Sequence, residues 1–189
     1  MENKLPLMRP ATIVKSLLQA IDYVSKSIDI AQATMVEIGS FTGESTVMFA
    51  ARFKKVISVD PFITYTVVSQ ISTLRKYKQD KWDQVMKTFK ERTKPFANIT
   101  HLRLLSDEAV EKINEPVDFV YIDGSHTYEQ CKKDIQNYLP LIKENGMIGG
   151  HDYQKGFPGV VKAVNEVFGA PDLVFGTDGN WIKKIPQKS

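Results

Sequence analysis

The chain has 189 residues, 42% of them hydrophobic, which suits one domain and leaves little room for a second. Its 25 basic and 22 acidic residues leave a net charge of +3 spread along the whole length, so composition singles out neither nucleic acid nor a membrane surface as partner. Cys131 is the only cysteine, which excludes an internal disulfide and a multi-cysteine zinc site and fits a reducing compartment.

The opening residues MENKLPLMRP carry no apolar signal core, and no apolar run approaches the ~18 residues of a membrane span, so a cytoplasmic protein is expected. Within an N-terminal helical segment, residues 1–30, Ile13, Leu17, Ile21 and Val24 recur at steps of three and four, as one helix face does. Thr34 to Ile38 is a compact apolar run closed by Gly39, and Ser45 to Phe53 has helical character, giving strand, glycine turn, helix. Val56 to Val59 reads as a second strand ending at Asp60-Pro61. Ile99 to Leu105, Val117 to Ile122 and Met147 to Gly149 read as further strands, with helices around Glu108 to Ile113 and Glu129 to Ile142. Alternation of this kind predicts an α/β fold with a largely parallel sheet. Leu173 to Phe175 and Trp181 to Ile185 flank Gly176-Thr177-Asp178-Gly179-Asn180, which suits an antiparallel hairpin at the end of the sheet. Residues 61–98 are more than one crossover helix needs; with the basic, aromatic-spotted piece Arg75 to Trp82 they form either a substrate lid or an extra solvated helix.

The first turn after a strand reads Glu37-Ile38-Gly39-Ser40-Phe41-Thr42-Gly43. In a dinucleotide fingerprint a glycine in the place of Phe41 lets the backbone approach a pyrophosphate. Here that place is filled, and the Glu37 carboxylate would repel a diphosphate while pairing with the ammonium of an amino-acid-bearing nucleoside. Charge thus favours S-adenosylmethionine over NAD. Asp60 follows about 20 residues after the first glycine, at a strand end where an acid accepts from both ribose hydroxyls. The structural alternative makes Gly39 and Gly43 a tight turn, with Glu37 and Asp60 as solvated strand-end charges. Ser106-Asp107 offers a carboxylate for an adenine amino group or, equally, a helix N-cap.

Together with Glu37 to Ser45 and Val59-Asp60-Pro61, the segments Val117-Asp118-Phe119-Val120-Tyr121-Ile122-Asp123-Gly124-Ser125-His126 and Gly146 to Tyr153 resemble class I S-adenosylmethionine-dependent methyltransferases. The nearest branch is the small O-methyltransferase group that includes catechol, caffeoyl-CoA and sugar-tailoring enzymes. The resemblance spans roughly Met35 to Tyr153 and implies a Rossmann-like, seven-stranded, mostly parallel sheet with helices on both faces. It makes Glu37, Gly39 and Ser40 contacts for the methionine part of the cofactor and Asp60 the ribose ligand, with Phe41, Gly43 and Pro61 also expected among the cofactor-binding residues. Ser106 and Asp107 fall near adenine. Asp123 stands where metal-dependent members place a first carboxylate ligand and also borders the cofactor; His126 falls where several place a catalytic lysine. His151 and Asp152 fall where two further ligands occur, so Asp123, His151 and Asp152 are the candidate magnesium or manganese ligands. His151 departs from the oxygen ligands usual there, which disfavours a hard cation.

Asp123, His126, His151 and Asp152 follow two adjacent strand ends and should converge on the nucleotide cleft. His126, His151 and Asp152 are the catalytic candidates: an imidazole base that takes the acceptor's proton is favoured over a divalent cation. The structural alternatives are a helix-start residue for His126 and a turn anchor for His151-Asp152. His101 and Cys131 read as packing residues. The expected function is S-adenosylmethionine-dependent methylation, on oxygen, of a small metabolite or sugar. A non-catalytic or other nucleoside-binding protein on the same fold, such as an aminopropyl transferase, is the alternative. The partners expected are a small-molecule acceptor and a second copy in a homodimer, with neither nucleic acid nor membrane.

Overall fold

The structure is a computed structural model that describes residues 11–64 and 78–187. Seven strands form one sheet in the order β3-β2-β1-β4-β5-β7-β6. They are β1 (Thr34–Ile38), β2 (Lys55–Val59), β3 (Ile99–Leu102), β4 (Val117–Ile122), β5 (Ile142–Gly150), β6 (Leu173–Phe175) and β7 (Asn180–Lys184). The first five run parallel, while β7 is antiparallel to both β5 and β6. The predicted α/β class, parallel sheet and C-terminal hairpin all match this arrangement.

Parallel strands in a doubly wound sheet bury both faces, and alternate residues of the central strands divide between two cores accordingly. Val36, Ile38, Ile57, Val59, Val120, Ile122 and Ile148 enter one core with Ile135 and Tyr138 of α5 (Tyr128–Tyr138) and Val160, Ala163 and Val164 of α6 (Pro158–Phe168). Met35, Val56, Phe119, Tyr121 and Met147 enter the other with Leu17, Ile21 and Val24 of α1 (Ala11–Ser25) and Phe49 of α2 (Glu44–Ala50). The Ile13 side chain lies outside the described residues.

Several boundaries differ from the sequence reading. β3 stops at Leu102, and the next helix is the short α4 (Ser106–Ala109) followed by a 3₁₀ turn over Val110–Lys112. Leu105, rather than Ser106 or Asp107, is the N-cap, so that alternative for the pair is corrected. α5 ends at Tyr138 because Pro140 follows within a 3₁₀ turn, and Ile142, expected as helical, opens a β5 much longer than Met147–Gly149. Its pairing with β4 shifts register between Val117 and Phe119. α6, which the sequence reading lacks, starts on Pro158, whose missing N–H costs nothing at a first helical turn, and ends at Gly169 with φ 76.

Within residues 61–98, α3 (Gln79–Thr93) buries Trp82, Val85 and Phe89 against Phe62, with Phe41 packed alongside. Arg92 donates to the Thr42 carbonyl at 2.7 Å, tying α3 to the glycine turn. Lys87 and Glu91 lie on its solvent face. Arg75, Lys76 and Tyr77 lie outside the described residues.

Candidate active site at the strand ends

The glycine turn sits between the ends of β2 and β4. The Gly39 amide donates to the Val59 carbonyl at 2.9 Å, and the Asp123 amide donates to the Ile38 carbonyl at 2.8 Å. Gly39 has φ 90, and a Cβ there would lie 2.1 Å from the Asp123 carbonyl oxygen, so both conformation and space require glycine. Gly43, at φ 80, is the N-cap of α2. Beneath the turn, Glu37 is fully buried and its two carboxylate oxygens accept from the Ser45 and Thr46 hydroxyls of α2. Ser40 is also buried, its hydroxyl against that of Ser58.

Asp60 ends β2 with one oxygen accepting from the Phe41 amide and the other from the Phe62 amide, each at 2.9 Å. Both donors belong to residues with left-handed backbone, Phe41 at φ 46 and Phe62 at φ 50, so the chain bends on each side to wrap this carboxylate. Burial raises the carboxyl above its usual value, against the lowering effect of those amides and that of Ser40. With three backbone amides on it, the carboxylate keeps acceptor capacity for a further donor. Pro61 is held through its carbonyl, which accepts from Arg103 at 3.3 Å. The predicted pair beyond β3 bonds to α5: Ser106 Oγ donates to Asp134 at 2.6 Å, and Lys133 Nζ meets Asp107 at 2.7 Å.

The four-residue cluster predicted at the ends of β4 and β5 does converge. His126 Nε2 lies 2.6 Å from Asp152 Oδ2 and 3.9 Å from Asp123 Oδ1. His151 Nδ1 lies 3.1 Å from the same Asp152 oxygen and 3.7 Å from Asp123 Oδ1. Asp152 adopts φ 63, a conformation aspartate tolerates better than most residues. Burial pushes the Asp152 carboxyl up, but the close approach of His126 and then of His151 overcomes this and holds it well below the usual carboxylate range. The helix cap here is Thr127, which accepts from the Gln130 amide, so His126 is free of the capping role considered for it. Its ring packs on Phe157, with centroids 4.7 Å apart.

Among the described residues, the trio whose ligand atoms all lie within 4.8 Å of one another is Asp123, His126 and Asp152. It differs from the predicted trio by placing His126 where His151 was expected. The second nitrogen of His151 faces elsewhere: Nε2 lies 3.0 Å from Asp178 Oδ2, in the loop between β6 and β7. Sequence reasoning did not find Asp178, because an aspartate between two glycines reads as a turn former. His101 packs against Phe62 and Phe89 as a face residue, and Cys131 is buried, its thiol pushed up to about 12 by burial and by Asp134.

Residues 36–153 match a family model described as a methyltransferase domain. A curated protein of Acanthamoeba polyphaga mimivirus, itself uncharacterised, is 29% identical over 143 residues, covering 71% of this chain. The chain spans 58% of the length of that relative. Similar solved structures include the calicheamicin methyltransferase CalS11, with a TM-score of 0.70 and 15% identity over 98% of this chain and 84% of that one. The N-methyltransferase NodS of Bradyrhizobium japonicum WM9, solved with S-adenosyl-L-homocysteine, has a TM-score of 0.64 and 13% identity over 96% and 91%. An rRNA methylase of Streptococcus thermophilus has a TM-score of 0.64 and 13% identity over 96% and 100%. Among the described residues, no helix is long and apolar enough to cross a membrane.

Proposed function

We propose that this chain, which belongs to the methyltransferase-domain family, is an S-adenosylmethionine-dependent methyltransferase that methylates a hydroxyl oxygen of a small metabolite or sugar. The bound cofactor supplies an electrophilic methyl group on sulfur. Asp60 is assigned to the ribose hydroxyls because its oxygens keep acceptor capacity beyond the Phe41 and Phe62 amides. Gly39, Ser40, Phe41 and Gly43 form the turn over which the cofactor lies, with the buried Glu37 carboxylate below it. Pro61 continues the ribose wall, Ser106 and Asp107 lie on the adenine side, and Asp123 borders both cofactor and acceptor.

One observation carries the acceptor half of this reading: two carboxylates and two imidazoles converge within 4 Å contacts at adjacent strand ends. A hydroxyl becomes a competent nucleophile only by shedding its proton, and a buried imidazole-carboxylate pair is suited to take it. In this role His126 is the proton acceptor, Asp152 stabilises the imidazolium that forms, and His151 completes the cluster. An open depression between α1 and the β6–β7 loop, lined among others by Lys15, Ser16, Gln19, Thr177 and Asp178, borders this cluster through the Asp178 contact to His151.

A second reading is favoured by the convergence of Asp123, His126 and Asp152, whose atoms are spaced to share a magnesium or manganese ion. Such a cation would lower the acceptor hydroxyl's pKa without a histidine base. A methyl-transfer screen over hydroxylated metabolites and sugars tests both. Under the base reading, H126A lowers turnover by roughly 10²–10⁴ fold and EDTA leaves activity unaltered. Loss of activity on chelation, restored by manganese or magnesium, replaces the base with the cation. Transfer only to nitrogen acceptors or to RNA overturns the O-methylation of a small molecule.

A further inference from the structure

We infer that Asp178 is a positioning residue of the site: it holds His151 by Nε2–H, so that Nδ1 is presented to Asp123 and Asp152. The inference rests on the methyltransferase reading of the strand-end cluster, and it assigns to the C-terminal hairpin and to α1 a part in building that cluster.

The chain of contacts starts at Tyr121, whose hydroxyl donates to the Asn180 carbonyl oxygen. That bond fixes which way the Asn180 amide points. Its NH₂ group therefore faces Asp178 Oδ2 at 2.7 Å and Ser16 Oγ at 2.9 Å. Ser16, having accepted from Asn180, turns its own proton onto Asp178 Oδ2 at 2.7 Å. Two donors thus converge on one carboxylate oxygen, which must act as an acceptor. His151 Nε2 approaches the same oxygen at 3.0 Å. A bare imidazole lone pair facing that oxygen would be repelled, so the nitrogen there carries a proton.

The His151 and Asp178 side chains are each 11% exposed, so water competes little for this bond. The remaining nitrogen, Nδ1, is the one directed at Asp152 and Asp123. An imidazole oriented by a carboxylate behind it is a recurrent way to fix ring rotation and tautomer at a functional site. Here the carboxylate is oriented in turn by α1, through Ser16, and by β4 and β7, through Tyr121 and Asn180. The sequence separation is large, 162 positions between Ser16 and Asp178.

Nuclear magnetic resonance of the full chain with ¹⁵N-labelled histidine tests this, with the His151 signals assigned by an H151Q variant. The wild type is expected to give a His151 Nε2–H signal that is downfield and protected from solvent exchange. D178A is expected to lose that protected signal. D178N is expected to keep it, because the Ser16 and Asn180 donors turn the Asn carbonyl oxygen into the same place, and to move it upfield, since a neutral acceptor is weaker. Calorimetric titration with S-adenosylhomocysteine, run on each variant, reports whether the fold and cofactor cleft persist. Absence of the wild-type signal overturns the inference. So does its persistence in a D178A protein that binds S-adenosylhomocysteine within about twofold of wild type. Should D178A fail to fold, D178N decides: loss of the signal in a binding-competent D178N also overturns it. Failure of the wild type to bind S-adenosylhomocysteine counts against the cofactor reading and leaves the His151 signal to be judged on its own.

Discussion

A carboxylate that ends a strand and is gripped by two backbone amides is rigid before any ligand arrives. Asp60 has this character, with Phe41 and Phe62 donating from either side. Preorganisation of this kind spares the ordering cost of binding, so its side chain should matter to cofactor affinity more than an exposed acid would. D60A is expected to weaken S-adenosylhomocysteine binding by about 1.5–3 kcal/mol, the scale of hydrogen bonds to a charged group. Isothermal calorimetry on the variant measures it; an unchanged affinity would reduce Asp60 to a clamp for the turn. Asp60 and Asp123 could be singled out in the sequence because each directly follows an apolar strand, and Glu37 because it interrupts one. Asp178 could not, since nothing local separates a turn aspartate from one that faces a histidine 27 positions away. Ser16 was hidden for the same reason: on a helix it is one polar residue among apolar ones, and only the docking of α1 beside the hairpin gives it a partner.

Helix α5 joins the Ser106-Asp107 pair to the core, and its central acid carries a cost. Asp134 is 1% exposed; its Oδ1 accepts from Ser106 and Gln130, while its buried Oδ2 has no hydrogen-bond partner. Burial raises its carboxyl to about 6, with the Ser106 and Gln130 hydrogen bonds pulling the other way, Asp107 adding to the rise and Lys133 opposing it. The folded protein therefore holds this proton more tightly than the unfolded chain does. Stability from this group is full below the ordinary aspartate value of 3.8 and is lost as pH rises through about 6. D134N, which cannot ionise, should remove that decline and gain stability relative to wild type above pH 6, by up to about 3 kcal/mol. Urea denaturation of both proteins between pH 4.5 and 7.5 measures the difference; parallel curves would mean the carboxyl is ionised throughout or finds a partner on unfolding. The elements themselves were legible in proportion to their periodicity. α1 and the central strands stood out, whereas α6 hid behind Gly156, Pro158 and Gly159, which read as a loop although Pro158 opens the helix. The extension of β5 to Ile142 was invisible because Asn145-Gly146 reads as a break, and in the sheet it is absorbed by a register shift against β4.

At the scale of the whole molecule, strand order 3-2-1-4-5 reverses between β1 and β4, and ligands of doubly wound sheets bind outside the strand ends at that reversal. The glycine turn, Asp60 and Asp123 all flank it. What the reversal alone leaves open is which nucleotide the cleft accepts, and two features of the turn decide it. A diphosphate needs backbone amides approaching it closely, yet Phe41 occupies the place of the second glycine, its ring packs on Trp82 at 5.9 Å, and its amide is already bonded to Asp60. Beneath lies the fully buried Glu37, an acceptor-only side chain whose oxygens take the Ser45 and Thr46 hydroxyls and which offers a pyrophosphate no donor. A sulfonium nucleoside with an ammonium group meets neither obstacle. A ligand that binds only the folded state stabilises it by about 2.7 kcal/mol at a hundredfold excess over its Kd. For a domain of this size that corresponds to a rise in Tm of roughly 5–11 °C. S-adenosylhomocysteine is expected to produce such a rise in a thermal melt, and NAD at the same concentration to leave Tm unmoved. An equal rise with NAD would mean that the turn can open around Phe41 to admit a pyrophosphate, and the charge-based choice of cofactor would fail with it.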